Sequence, residues 1–139
     1  MKTKTTKVLI ADDDDGLRGL LTKVLAALDI EVIEARDAMT ALVMAHQAAP
    51  DLIILDIGMP GGNGLSAGEM LASEPSLAQV PLIILTGKSD DATLFRCQSI
   101  GARYIRKGAD AIDEVKDMVH RLLCIGDEAS AAKPELFVG

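Results

Sequence analysis

Asp56 ends the apolar run Leu52–Leu55 and precedes Ile57-Gly58-Met59-Pro60-Gly61-Gly62-Asn63-Gly64, so a carboxylate is stranded where a buried strand breaks into a glycine-rich turn. Lys7–Ala11 likewise runs straight into Asp12, Asp13, Asp14 and Asp15. Two further strand-like runs end in a hydroxyl, Thr86, and, after Tyr104-Ile105-Arg106, in an ammonium, Lys107. Open α/β sheets bind ligands just outside the carboxyl ends of their strands, so these groups, far apart in sequence, can meet on one edge. Acids, hydroxyl and ammonium together suit phosphoryl transfer and a divalent metal. Two carboxylates about 4 Å apart repel by roughly 4 kcal/mol at an effective dielectric near 20, so a pocket with three is strained until a cation enters. Mg2+ or Mn2+ fits that vacancy in charge: it takes hard oxygen ligands, and Mg2+ keeps waters that phosphoryl oxygens can replace.

The surrounding pattern supplies the elements that must hold these groups. Leu17, Leu20, Leu21, Val24, Leu25 and Leu28 recur at helical spacing and predict a helix over about residues 14–28, directly after the first strand. Ile30–Ala35 reads as a second strand, and Ala38, Ala41, Leu42 and Ala45 mark a helix ending before Pro50. After the strand Leu52–Asp56 comes a helix around Leu65, Met70 and Leu71, interrupted by Gly68, with Gly61–Gly64 as turn residues. Val80–Thr86 predicts strand four, Asp90–Ile100 a helix, Arg103–Arg106 a short strand, and Ile112, Val115, Met118, Val119, Leu122 and Leu123 stripe a last helix. Alternating strands and helices predict an α/β fold, a doubly wound five-stranded parallel sheet flanked by five helices. Residues 1–123 form the expected domain, and residues 124–139, which carry Gly, Ala, Ser and Pro with little periodicity, read as a flexible tail or linker stump.

At 139 residues the chain fits one domain, and its core must be aliphatic, since hydrophobic residues make up 49% and aromatics only 2%. A formal net charge of -7 argues against direct nucleic-acid binding, which rests on Lys and Arg neutralising phosphates. Only Val8–Ala11 separate the basic N-terminal segment from four aspartates, too short for a signal-peptide core or a membrane span, so a cytoplasmic protein without membrane attachment is expected. Cys97 and Cys124 have neither CxxC nor ligand spacing and read as thiols in a reducing compartment.

In the order and type of these residues the chain resembles the response-regulator receiver domain of two-component signalling, over about residues 6–123. The resemblance implies a flavodoxin-like receiver fold, a metal-binding acid pair in Asp12 and Asp13, and a phosphoacceptor in Asp56. It also implies a backbone-carbonyl metal ligand in Gly58, a switch hydroxyl in Thr86, a switch aromatic in Tyr104 and a phosphate partner in Lys107. The expected function is that of a phosphoacceptor switch rather than an enzyme with a separate substrate. Its phosphoryl donor would be a sensor histidine kinase or histidine phosphotransfer protein, and its output a downstream target protein, with a weak homodimer left open. Two positions that influence hydrolysis in the family, two beyond the phosphoacceptor and two beyond the hydroxyl, are Gly58 and Lys88 here, which implies a slowly hydrolysing phosphoryl group. Gly108 departs from the family, which places a cis-linked proline after the lysine. A cis bond before a non-proline residue costs about 2.5–4 kcal/mol, so a trans Lys107–Gly108 bond is expected, with glycine's wide φ range bending the loop to keep Lys107 at the acids.

Blander readings compete. Acids favour helix N-termini, and capping accounts for Asp14 or Asp15 but not for Asp56, Thr86 and Lys107 in register. Tyr104 as plain strand packing is unremarkable, and His46 and His120 fall on helices as surface or packing residues. Gly87-Lys88-Ser89 imitates the end of a P-loop, but the earlier glycine that motif needs would fall at Leu82. A haloacid-dehalogenase-like Mg2+ phosphatase would use the Asp-x-Asp within Asp12–Asp15, with Thr86 and Lys107. It would leave Asp56 without a role and has Gly16 where that family carries Thr or Val. A receiver-like interaction module that is never phosphorylated is the third reading.

Overall fold

The computed structural model describes residues 5–58, 64–87 and 90–123. Lys88, Cys124 and the expected tail over residues 124–139 lie outside the described residues, as do Gly61–Asn63 of the expected turn. Along the chain run β1 (Lys7–Ala11), α1 (Asp15–Ala26), β2 (Glu31–Ala35), α2 (Ala38–Ala48), β3 (Leu52–Asp56), α3 (Gly64–Ser73), β4 (Leu82–Thr86), α4 (Asp91–Ser99), β5 (Arg103–Arg106) and α5 (Ala111–Leu123). All four strand pairings are parallel, in the order β2-β1-β3-β4-β5.

Burial follows from that order. The central strands β3 and β4, Leu-Ile-Ile-Leu-Asp and Leu-Ile-Ile-Leu-Thr, are buried at every residue, as strands covered on both faces must be. Successive side chains alternate between faces. Leu9, Ile53, Leu55 and Ile84 therefore join one core, while Val8, Ile10, Ile54, Ile83 and Leu85 join the other with Leu21 and Leu25 of α1 and Val115 and Val119 of α5. The edge strands β2 and β5 are only partly buried.

Aspartates cap three helices. The carboxylates of Asp14, Asp37 and Asp90 accept from the N–H groups of Leu17, Thr40 and Thr93 at the starts of α1, α2 and α4. The structure corrects the sequence reading at four places. Leu20, assigned to the apolar stripe of α1, is 48% exposed, and Arg18 takes the inward position instead. Helix α1 stops at Ala26 because Asp29 turns the chain at φ 64°. Gly68 does not interrupt α3: it lets the helix lie on the sheet, where an added Cβ would stand 3.4 Å from the side chains of Leu55 and Leu82. Gly64 belongs to α3 rather than to the turn.

Candidate functional site

Strand order reverses between β1 and β3, and the register sets Ala11 beside Leu55, so Asp12, just past β1, and Asp56, the last residue of β3, stand side by side at the carboxyl edge. One carboxylate oxygen from each of Asp12, Asp13 and Asp56 falls within 4.8 Å of the others. Asp12 and Asp56 are buried and Asp13 is exposed, which gives the cluster a closed floor and an open side.

The backbone around Asp12 is held from several directions. Its N–H donates to the Ala35 carbonyl at 3.1 Å, and its Oδ1 accepts from the Asp14 N–H at 2.9 Å. Its Oδ2 is buried without a hydrogen bond of good geometry and has the Lys107 ammonium 3.3 Å away as an ion pair. Asp56 Oδ1 accepts from the Gly58 N–H at 3.0 Å, which fixes the rotation of the carboxylate, and Asp56 Oδ2 lies 3.2 Å from Lys107 Nζ.

Lys107 reaches this point because its N–H donates to the Thr86 carbonyl at 2.9 Å, extending the β4–β5 ladder by one residue. The Lys107–Gly108 peptide is trans, as the sequence reading expected. The wide φ range invoked for Gly108 is not used, however: among the described glycines only Gly101 has a positive φ, and the ladder bond together with the Asp12 and Asp56 ion pairs aims Lys107. Thr86 is buried at the end of β4, and Tyr104 of β5, half-buried, packs against the core on the α2–α3–α4 side of the sheet.

Electrostatics agree with the geometry. Burial pushes the Asp12 carboxyl above its ordinary value; the Asp14 amide and Lys107 oppose that rise and the Asp56 charge adds to it. Burial alone would lower the Lys107 ammonium, but the Asp56 and Asp12 charges outweigh it and raise it. One ammonium thus faces two of the three clustered carboxylates, and a buried oxygen lacks a hydrogen bond. That donor set, all hard oxygen, fits a divalent cation such as Mg2+.

Residues 8–120 match the family described as the response regulator receiver domain. The chain belongs to that family. The receiver is 31% identical over 105 residues to Protein PilH of Pseudomonas aeruginosa, covering 75% of this chain and 87% of PilH. It is 33% identical over 90 residues to the DNA-binding response regulator MtrA of Mycolicibacterium smegmatis, covering 65% of this chain, and spans only 38% of MtrA's length. Among solved structures it is similar to the phosphorylated cyanobacterial phytochrome response regulator RcpA, with 26% identity and a TM-score of 0.79, covering 86% of this chain and 95% of RcpA. The receiver is therefore a two-component signalling domain of the phosphoacceptor-switch class, and the phosphatase reading has no support.

Sequence reasoning overlooked Arg18. Its residue is only 8% exposed, and its guanidinium reaches Glu34 Oε1 at 2.7 Å, the Asp12 carbonyl at 2.6 Å and Asp15 Oδ1 at 2.6 Å. The available signal was a cation three residues before Leu21 and seven before Leu25, on the face that faces inward, with Asp15 one turn ahead of it. Composition places Gly64 among turn residues, whereas an added Cβ there would meet the Asp56 carbonyl oxygen at 2.4 Å.

Proposed function

We propose that this receiver accepts a phosphoryl group on Asp56 from a phosphohistidine donor, a sensor histidine kinase or a histidine phosphotransfer protein, and thereby alters its surface toward a downstream target protein. The observation that carries this reading is the convergence of Asp12, Asp13 and Asp56, with the Lys107 ammonium 3.2 Å from the Asp56 carboxylate. RcpA, described as phosphorylated, supports it by likeness.

In the reading, an Asp56 oxygen attacks phosphorus as the bond to the donor's imidazole nitrogen breaks, giving an acyl phosphate and returning the electron pair to the imidazole. Gly58's amide holds the nucleophile in place, and Lys107 offsets charge on the transferring oxygens. Asp12, Asp13, Asp56 and the Gly58 carbonyl would hold Mg2+ or Mn2+, which supplies Lewis-acid stabilisation of those oxygens when bound. Thr86 then donates to the phosphoryl group, and Tyr104, on the face of β5 that packs toward α4, follows the space it vacates. Catalysis is confined to the protein's own phosphorylation and dephosphorylation. Gly58 brings no side chain to orient an attacking water, which favours a long-lived phosphoryl group. The net charge of -7 disfavours direct nucleic-acid contact by the receiver itself, and its lone thiols suit a cytoplasmic setting.

Acetyl phosphate as donor, with peptide mapping, tests the assignment. A single adduct on Asp56 that requires Mg2+ is expected, and Asp56→Asn, nearly the same in shape but not nucleophilic, loses it while staying folded. Stoichiometric uptake by Asp56→Asn would move the assignment to Asp12 or Asp13.

A further inference from the structure

Arg18 is the one buried cation of α1, and each of its nitrogens is committed to a different acceptor. Nε donates to Glu34 Oε1 on β2, Nη2 to Asp15 Oδ1 at the start of α1, and Nη1 to the main-chain carbonyl of Asp12. The Thr22 hydroxyl, which has the Arg18 carbonyl as its nearer acceptor at 2.9 Å, also lies 3.1 Å from Glu34 Oε2. The two anionic partners are partly open to water, with side chains 39% and 66% exposed, so these ion pairs contribute little stability by themselves. The third contact differs, because the Asp12 carbonyl is buried and has its hydrogen bond from Arg18. With Asp12 N–H on Ala35 O and Asp12 C=O on Arg18, both peptide groups of Asp12 are clamped, and the second of them is the peptide that leads into Asp13.

We propose that Arg18 is a positioning residue for the cation site: it orients the Asp12–Asp13 peptide, and so the acid pair, by tying it to α1 and β2. The inference rests on the reading of Asp12 and Asp13 as cation ligands. It sets geometry against charge. A guanidinium close to the site repels a divalent cation, so if charge alone mattered, removing it would tighten binding. If positioning matters, removal weakens binding, as loss of the groups that orient metal ligands typically does by about ten- to a hundredfold. The planar fork serves three acceptors at fixed angles, which a lysine ammonium on a flexible stem does not reproduce.

Calorimetric titration of the intact chain with Mn2+ separates these outcomes in wild type, Arg18→Met, Arg18→Lys and Glu34→Ala. Arg18→Met keeps the aliphatic stem and is expected to raise Kd about tenfold or more. Arg18→Lys keeps the charge and is expected to raise Kd as well, and Glu34→Ala, which releases one arm of the fork, to raise it by less. Circular dichroism without metal verifies that each variant is folded, and if Arg18→Met is not, Arg18→Lys and Glu34→Ala carry the test. Unchanged Kd in the folded variants, or tighter binding in Arg18→Met with Arg18→Lys like wild type, overturns the positioning role while leaving the cation site intact. Absence of Mn2+ binding by wild type overturns the site itself, and the proposal with it.

Discussion

Asp12 keeps a carboxylate in a place where burial and the Asp56 charge both penalise ionisation, and the Asp14 amide and Lys107 only partly offset this. Its folded-state value is raised above the unfolded one, so between the two the native protein binds the extra proton. Stability from this group is therefore fully present below the unfolded value of 3.8 and is lost as pH rises through the higher folded value. Asp12→Asn removes that cost. Without divalent cations it should melt at a higher temperature than wild type at pH 7, with the gap closing toward the unfolded value in acid. Mg2+ should then raise the melting temperature of wild type more than that of the variant, through the linkage of binding to folding. Equal melting of the two proteins across this pH range would show that Asp12 is not strained in the folded state. Cys97 illustrates the opposite use of burial: with its thiol raised by desolvation, it is inert packing.

At the scale of elements, the two ends of β3 are set by close backbone geometry. Ala49, which ends α2 just before Pro50, sits at φ 50°, a region that penalises a Cβ by roughly 1–2 kcal/mol. Ala49→Gly relieves that strain but adds backbone freedom to the unfolded chain worth about 0.4–1 kcal/mol, so a net gain of up to about 1.6 kcal/mol is expected in urea unfolding. Gly64 at the start of α3 is the reverse case. Its missing Cβ would lie 2.4 Å from the Asp56 carbonyl oxygen and 2.6 Å from Ile57 Cα, both backbone atoms. Gly64→Ala should cost about 1–3 kcal/mol through overpacking and, by displacing the end of β3, slow phosphorylation from acetyl phosphate. A Gly64→Ala protein as stable and as quickly phosphorylated as wild type would mean that α3 does not seat itself against Asp56. Between α3 and α4, Arg96 donates to both oxygens of Glu69 at 3.0 and 2.8 Å, a bidentate tie between two helices on one face of the sheet.

The described residues build two aliphatic cores sharing one sheet, and the neighbours Ile53 and Ile54 point into different ones. Each residue is 1% exposed, so Ile53→Val and Ile54→Val should each cost about 0.5–1.5 kcal/mol. Because the strands belong to both cores at once, both changes should shift one cooperative transition, seen alike by circular dichroism and by Tyr104 fluorescence. Separate transitions by the two probes would mean that the faces unfold independently. Among the described residues no helix is long and apolar enough to cross a membrane.

Much of this was written in the order of residues. Apolar runs ending in Asp56, Thr86 and Lys107 located the strand ends, because buried parallel strands need unbroken apolar sequence, and the alternation with helical stripes named the α/β class. Parallel strands share one carboxyl edge, so the meeting of Asp12, Asp13, Asp56 and Lys107 followed from topology without coordinates. Arg18, Gly64 and Gly108 were not legible in the same way. Whether a cation is buried depends on which acceptors surround it, here Glu34 and the Asp12 carbonyl, and periodicity counts only apolarity. Gly64 is demanded by a backbone contact with a residue eight positions earlier, and Gly108 needs no special φ because a ladder bond to Thr86 already directs Lys107. Strand ends and residue types are local properties that a sequence carries; the hydrogen bonds and close approaches that fix each side chain exist only once distant segments are packed together.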